Sequence, residues 1–213
     1  MSSTYTKQVG REHYGRGSYR SQDRWNSYWH QLDLVRSCSP QSVLEVGIGE
    51  GVVARELRTA GIKTITLDIA EDLNPDVLGS VTDIPLDTAS VDLVLAAEII
   101  EHIRFEDVPH ALSEIARVCR NDAIISIPHP GYIFELSFKI PLLPRITLFT
   151  KMPFFWKTHQ FDGQHYWELG KQKYSFMQFL QTAREAGLVI KGHYCYADDP
   201  ARRYFLFATR NHD

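Results

Sequence analysis

The stretch Val43-Leu44-Glu45-Val46-Gly47-Ile48-Gly49-Glu50-Gly51 is an apolar run that breaks into three alternating glycines. The pattern predicts a buried strand that enters a tight turn and then a helix. Glycine suits such a turn because it reaches backbone angles closed to residues with a β-carbon and lets a ligand approach the main chain. Glu45 lies two positions before the first glycine. A phosphate-cradling loop favours bare N–H groups and cations there, whereas a carboxylate suits a ligand with a positive amino or sulfonium group. A second strand is predicted over Lys63-Thr64-Ile65-Thr66-Leu67-Asp68 and ends in another carboxylate. In a parallel α/β unit, an acidic residue at that point hydrogen-bonds the hydroxyls of a ribose. Glycine turn and ribose carboxylate together imply a ligand that contains a nucleoside.

From Gln41 to Pro130 the chain closely resembles the class I S-adenosylmethionine-dependent methyltransferases, in particular their type 11-like members. Glu45-Val46-Gly47-Ile48-Gly49-Glu50-Gly51 matches the first motif of that family and Asp68 its ribose carboxylate. Thr82-Asp83-Ile84-Pro85-Leu86 matches the adenine-side motif, and the run from Ser90 to His102 matches the fourth strand and the turn after it. The resemblance implies S-adenosyl-L-methionine as cofactor and assigns roles to individual residues. Gly47, Gly49 and Gly51 would pass close to the methionine and ribose, and Glu45 would hold the amino group. Asp83 and Ile84 would frame the adenine, and Glu98 would lie near the sulfonium. Glu101 and His102 read as capping or supporting residues. Plain structural readings stand beside these: Glu45 as a buried helix cap, Asp83 as a solvated turn residue.

Methyl transfer is an in-line displacement whose rate comes largely from alignment. A base is needed only when the acceptor must lose a proton. His129, directly after the fifth strand, and His165, in a histidine-rich run with His159 and Glu168, are the candidate catalytic residues. A structural turn whose histidines cap backbone groups fits that run equally well. No compact metal-ligand spacing is present, and no metal is expected.

The elements that must position these residues follow from periodicity. A helix through Trp25, Tyr28, Trp29, Leu32 and Val35 precedes the first strand, with both tryptophans expected to pack on the sheet. Val52, Val53, Leu57 and Ala60 mark the helix after the glycines. Asn74-Pro75 leaves little room for a crossover helix between the second and third strands. The fourth strand covers Val91–Ala96 and the fifth Ala123–Ile127; a helix over Ser175–Ala186 and two final strands complete the chain. The expected fold is α/β: a Rossmann-like, doubly wound, seven-stranded sheet, mostly parallel with an antiparallel C-terminal strand. It forms one methyltransferase domain over residues 1–213, with residues 1–40 as arm and helix and residues 131–170 as a substrate cap between strands 5 and 6.

With 44% apolar and 23% charged residues, the 213-residue chain has the composition of one globular domain. A net charge of −3 weighs against salt-driven binding to nucleic acid. The polar N-terminus and widely spaced Cys38, Cys119 and Cys195 point to a cytoplasmic protein with reduced thiols. Residues 132–156 are rich in aromatics and aliphatics but interrupted by three prolines and by Lys139, Arg145 and Lys151, which excludes a transmembrane helix. The segment suits a cap over the site, contact with a membrane surface, a lipid-linked substrate, or a dimer surface. The expected acceptor is a small molecule, such as a sugar, glycan or natural-product hydroxyl or amine. The alternatives are a macromolecular acceptor (protein or RNA) and a non-catalytic, cofactor-binding partner subunit.

Overall fold

A computed structural model describes Tyr5, Lys7, Glu12 and residues 21–210. The fold is built on a seven-stranded sheet with strand order β3-β2-β1-β4-β5-β9-β8. Its strands are β1 (Ser42–Val46), β2 (Lys63–Asp68), β3 (Val77–Leu78), β4 (Val91–Ala97), β5 (Cys119–Pro128), β8 (Leu188–Tyr196) and β9 (Asp199–Thr209). β1 through β5 are mutually parallel, and β9 runs antiparallel between β5 and β8. Helices α1 (Gln22–Cys38), α2 (Val52–Thr59), α3 (Val108–Val118) and α4 (Phe176–Glu185) cover the sheet. The central strands β1 and β4 are buried almost throughout, which explains their continuous apolar sequences.

The crossover from β2 to β3 contains a single 3₁₀ turn, Glu71–Leu73, as Asn74-Pro75 predicts. Side-chain bonds do the work of the missing helix. The Asp76 carboxylate accepts from the backbone N–H and hydroxyl of Thr66, both at 2.8 Å, and pairs with Arg58 at 2.5 Å. Asp92 performs a similar task at the start of β1, accepting from the N–H groups of Gln41 and Ser42 at 3.0 Å each.

Two regions differ from the sequence-based expectation. Trp25 and Trp29 do not pack on the sheet; they are 53% and 57% exposed. α1 instead buries Ser27, His30, Gln31, Leu34 and Val35, because polar partners wait on the sheet side. The Ser27 hydroxyl donates to Tyr204 at 3.0 Å, since the one phenolic proton goes to Asp199; His30 pairs with Asp198 at 2.8 Å, and the His30 ring stacks on Tyr196. The insertion after β5 forms an antiparallel hairpin, β6 (Gly131–Phe138) and β7 (Ile146–Pro153), separate from the main sheet. Its register places Tyr132, Phe134, Leu136 and Phe138 opposite Met152, Thr150, Leu148 and Ile146. Seven of these eight are apolar and share one face, as the period of a strand requires. All seven are exposed. Lys151 of β7 donates to the carbonyls of His129 and Pro200 and ties the hairpin base to the sheet.

The expected N-terminal arm lies mostly outside the described residues, Tyr14 and Tyr19 included. Of its described members, Tyr5 donates to Asp107 and accepts from the Arg104 N–H, while Lys7 pairs with Asp72 at 2.6 Å. Cys119 is buried and donates to the Asp122 carbonyl at 2.9 Å, while Cys38 and Cys195 are partly buried. Among the described residues, no helix is long and apolar enough to cross a membrane.

Candidate functional site

A cavity of about 500 Å³ opens at the carboxyl ends of β1, β2 and β4, where an open α/β sheet places its ligands. Val46, Gly47 and Gly49 form one wall, and Asp68 at the end of β2 forms the next. Gly47 has φ +82°, and a β-carbon there would lie 2.0 Å from Cδ1 of Ile99. Its N–H donates to the Leu67 carbonyl at 2.8 Å, which fastens the turn to β2. Gly51 plays another part, as the left-handed residue that starts α2. It does not line the cavity.

Asp68 is oriented from both sides. Its Oδ2 accepts from the Ile48 N–H at 3.0 Å and its Oδ1 from the Ala70 N–H at 2.8 Å. Burial raises the carboxyl's pKa, and these N–H groups oppose that rise. The carboxylate therefore holds the glycine turn and faces the cavity at once.

Glu45 lies beneath the turn and outside the cavity lining, buried to 6% exposure. The Ala54 N–H, in the first turn of α2, bonds its carboxylate, and Oε2 has no partner among the described residues. Burial pushes its pKa up to about 8. The placement is that of a buried helix cap. Alternation along β1 turns this side chain to the face opposite Val46, which lines the cavity.

The adenine-side expectation shifts by three residues. Asp83 is exposed, and Ile84, at 2% exposure, belongs to the core; neither lines the cavity. The loop is drawn away by α3: the Ile84 N–H donates to Glu114 at 2.9 Å, and Arg117 donates to the carbonyls of Ile84 and Leu86. Ser80 and Val81 line the cavity in their place. A polar residue followed by an apolar one is again the pattern, displaced by a turn whose bridge joins Ser80 to Asp83.

Glu98 follows β4 with φ +57°, a left-handed conformation unusual outside glycine. Its N–H donates to the Ser126 carbonyl at 3.1 Å, and its Oε1 accepts from the Ser126 hydroxyl at 3.0 Å. Arg202 lies 3.3 Å from Oε2 and also donates to Asp199 at 2.5 Å. Tyr204 donates to the same Asp199. Burial raises the Glu98 pKa, with Arg202 acting against it, while the two acids keep the Arg202 guanidinium charged. This buried network joins α1, β5 and β9 to the cavity floor. Arg202 and Asp199 carried no motif in the sequence; only the pairing of β9 with β5 brings them here.

The two candidate histidines separate. His165 lines the cavity, its ring 5.1 Å from that of His102, which lines it too. His165 Nδ1 lies 3.4 Å from Glu168 Oε1, and Glu168 is held well ionised, near 2, chiefly by bonds to His165 and Lys171 acting against its burial. Burial and the neighbouring His165 lower the His102 pKa to about 4. His129 is buried to 3% exposure, off the cavity, with its pKa lowered to about 3 by burial and by Lys151. The pleat of β5 explains this: Pro128 meets the cavity, so the next side chain points to the opposite face. His159 serves the loop, its Nε2 2.9 Å from the His165 carbonyl. Of residues 131–170, only Gln164 and His165 line the cavity; the apolar hairpin stands beside it.

Three comparisons with known proteins agree with this geometry. The methyltransferase domain family matches residues 44–127, from β1 through β5. A probable S-adenosylmethionine-dependent methyltransferase of Mycolicibacterium smegmatis is 31% identical over 135 residues, covering 55% of this chain and 52% of that protein. The chain spans about half the length of the curated relatives of this kind that it matches. Among solved structures, the Burkholderia thailandensis 1,6-didemethyltoxoflavin-N1-methyltransferase, with S-adenosylhomocysteine bound, superposes with a TM-score of 0.63 at 13% identity. That superposition covers 93% of this chain and 84% of the other. A putative methyltransferase of Haloferax volcanii, in complex with the Trm112 activator, gives a TM-score of 0.58 at 14% identity, covering 96% and 99%. At such identities the structural likeness speaks for the fold alone. The order of motifs, the methyltransferase domain match over residues 44–127 and the Rossmann-like sheet make this chain similar to the class I S-adenosylmethionine-dependent methyltransferases.

Proposed function

We propose that this protein transfers a methyl group from S-adenosylmethionine to an oxygen or nitrogen of a small-molecule acceptor. The observation that carries this reading is the continuity of the cavity. It joins the Gly47–Asp68 wall, suited to a nucleoside, to a polar recess formed by Glu98, His102, His165 and Arg202. Its volume of about 500 Å³ falls in the range of small-molecule sites. Gly47 and Gly49 line the cavity with bare backbone at φ +82° and +51°, which leaves the cofactor room to approach the turn. Asp68 would hold the ribose, Ser80 and Val81 would border the adenine, and Glu98 would face the positive sulfonium. When bound, the cofactor supplies an electrophilic methyl group.

The chain's own contribution is alignment, exclusion of water, and a place for the acceptor's proton. His165 stands on the recess wall with its Nδ1 held toward Glu168, which orients the ring for that task. His129 has no access to the cavity and takes no part. The exposed apolar face of the β6–β7 hairpin favours an acceptor that carries a lipid chain. Calorimetry with S-adenosylhomocysteine, followed by an acceptor screen that reads its formation from S-adenosylmethionine, tests the proposal. Micromolar binding with acceptor-dependent turnover is the expected result. Binding without turnover across sugars, phenols, amines and lipid-linked forms would favour a non-catalytic subunit.

A further inference from the structure

Three carboxylates, Glu98, Glu101 and Glu168, gather around the recess, and two of them have cationic partners. Arg202 lies 3.3 Å from Glu98, and Lys171 lies 2.5 Å from Glu168. Glu101 differs. It is fully buried, and neither carboxylate oxygen has a hydrogen-bond partner among the described residues. A buried, unpartnered carboxylate is costly unless something at its site compensates it.

What lies next to it is imidazole. His102 Nε2 is 4.0 Å from Glu101 Oε1, and the donor atoms of Glu101, His102 and His165 all fall within 4.8 Å of one another. Both rings are steadied through their other nitrogen. His102 Nδ1 lies 3.2 Å from the Gln164 carbonyl, which directs Nε2 toward Glu101. His165 Nδ1 lies 3.4 Å from Glu168 Oε1. An imidazole whose second nitrogen is held by a carbonyl or carboxylate is the usual arrangement of a metal ligand.

We propose that Glu101, His102 and His165 bind one divalent transition-metal ion, of the zinc or manganese class, at the acceptor end of the cavity. Two imidazoles and a carboxylate suit such ions better than magnesium or calcium, which prefer all-oxygen sets. Bonds of about 2.1 Å place ligand atoms roughly 3–4 Å apart, so the three side chains close by about an ångström on the ion. A second cluster, Asp162, His165 and Glu168, shares His165 but is the weaker candidate. Its Glu168 is already paired with Lys171, and its Asp162 accepts from the N–H groups of Gln164 and His165.

His102 and His165 line the cavity, so coordination positions left open by the protein face the acceptor. An acceptor hydroxyl on the ion becomes more acidic and gives its proton to water. The acceptor oxygen then forms its bond to the methyl carbon as the carbon–sulfur bond of S-adenosylmethionine breaks, and the electron pair stays on sulfur. This role rests on the methyl-transfer reading and, with the ion bound, takes the place of direct proton acceptance by His165; the ion site itself does not depend on that reading.

The test is metal binding by the full, tag-free chain after chelator treatment. Zinc chloride and manganese chloride are titrated by calorimetry, and S-adenosylhomocysteine is titrated in parallel. The expected result is one ion per chain, bound at least tenfold more weakly by Glu101→Gln, His102→Ala and His165→Ala. Glu168→Gln, which removes an outer partner, weakens it by about 10–100-fold. Because a change at fully buried Glu101 can prevent folding, the two partly exposed histidines serve as independent probes. Folded protein that takes up no ion would overturn the site. So would ion binding that Asp162→Asn weakens and Glu101→Gln and His102→Ala leave intact. Ion binding by the predicted ligands without S-adenosylhomocysteine binding would uphold the site and sink the methyl-transfer reading.

Discussion

Removing the carboxylate at position 68 tests the cofactor side most directly. Asp68 is preoriented by the N–H groups of Ile48 at 3.0 Å and Ala70 at 2.8 Å, so the geometry proposed to meet the ribose exists before ligand arrives. A hydrogen bond to a charged group is worth about 1.5–3 kcal/mol, and two ribose hydroxyls would use two of them. Asp68 is only partly buried at the cavity wall, and water fills the space that a truncation leaves. The lower end of the range therefore applies, about 3 kcal/mol or roughly 100-fold in affinity for Asp68→Ala. Asp68→Asn keeps the shape and one acceptor oxygen, and is expected to lose about half of that free energy, on the order of tenfold. Calorimetric titration of S-adenosylhomocysteine into wild type and both variants measures the series. Thermal melts without ligand separate lost contacts from a loosened glycine turn. An Ala variant that melts like wild type and binds within threefold of it would refute the ribose assignment.

Gly47→Ala combines a φ of +82° with a contact at 2.0 Å to Ile99. The strain of about 1–3 kcal/mol is expected to lower the melting temperature by about 3–10 °C and to abolish detectable ligand binding; a variant with wild-type affinity would count against the close approach. Glu45 ionises near pH 8 in the folded protein, against 4.5 for the free group. Its contribution to stability is thus fully present below pH 4.5 and lost as pH rises toward 8, so Glu45→Gln should flatten that decline and melt higher than wild type at pH 8 but not at pH 4.5. Equal melting curves at pH 8 would argue against a buried, proton-holding carboxyl. Arg202→Met leaves Glu98 and Asp199 without their shared cation and is expected to cost about 3–5 kcal/mol in urea unfolding, an effect absent if the network is slack. His129→Ala should reduce stability while leaving turnover within about threefold of wild type, in line with its burial at 3% exposure off the cavity. A thousandfold loss of kcat in folded protein would reinstate it as catalytic.

The fold and the Gly47–Asp68 wall of the cavity were legible because they rest on local pattern. Alternating glycines after an apolar run, a carboxylate at the end of the next strand, and helical spacing all act within a few residues of one another. The short β2–β3 crossover could be read from Asn74-Pro75 for the same reason. What the sequence left open depends on which way a side chain turns once strands pair. The pleat of β5 sends His129 away and presents Pro128, and the Glu114–Arg117 pair pulls Asp83 and Ile84 off the cavity, leaving Ser80 and Val81 there. The polar face of α1 met Tyr204 and Asp198, so Trp25 and Trp29 turned outward. Arg202 and Asp199 joined Glu98 only through the antiparallel register of β9, about a hundred residues further along the chain. The resemblance to the methyltransferase family could be read from the chain because its motifs are contiguous. The acceptor recess was decided by tertiary structure, because charges and imidazoles from three separate segments acquire chemical meaning only at a few ångströms from one another.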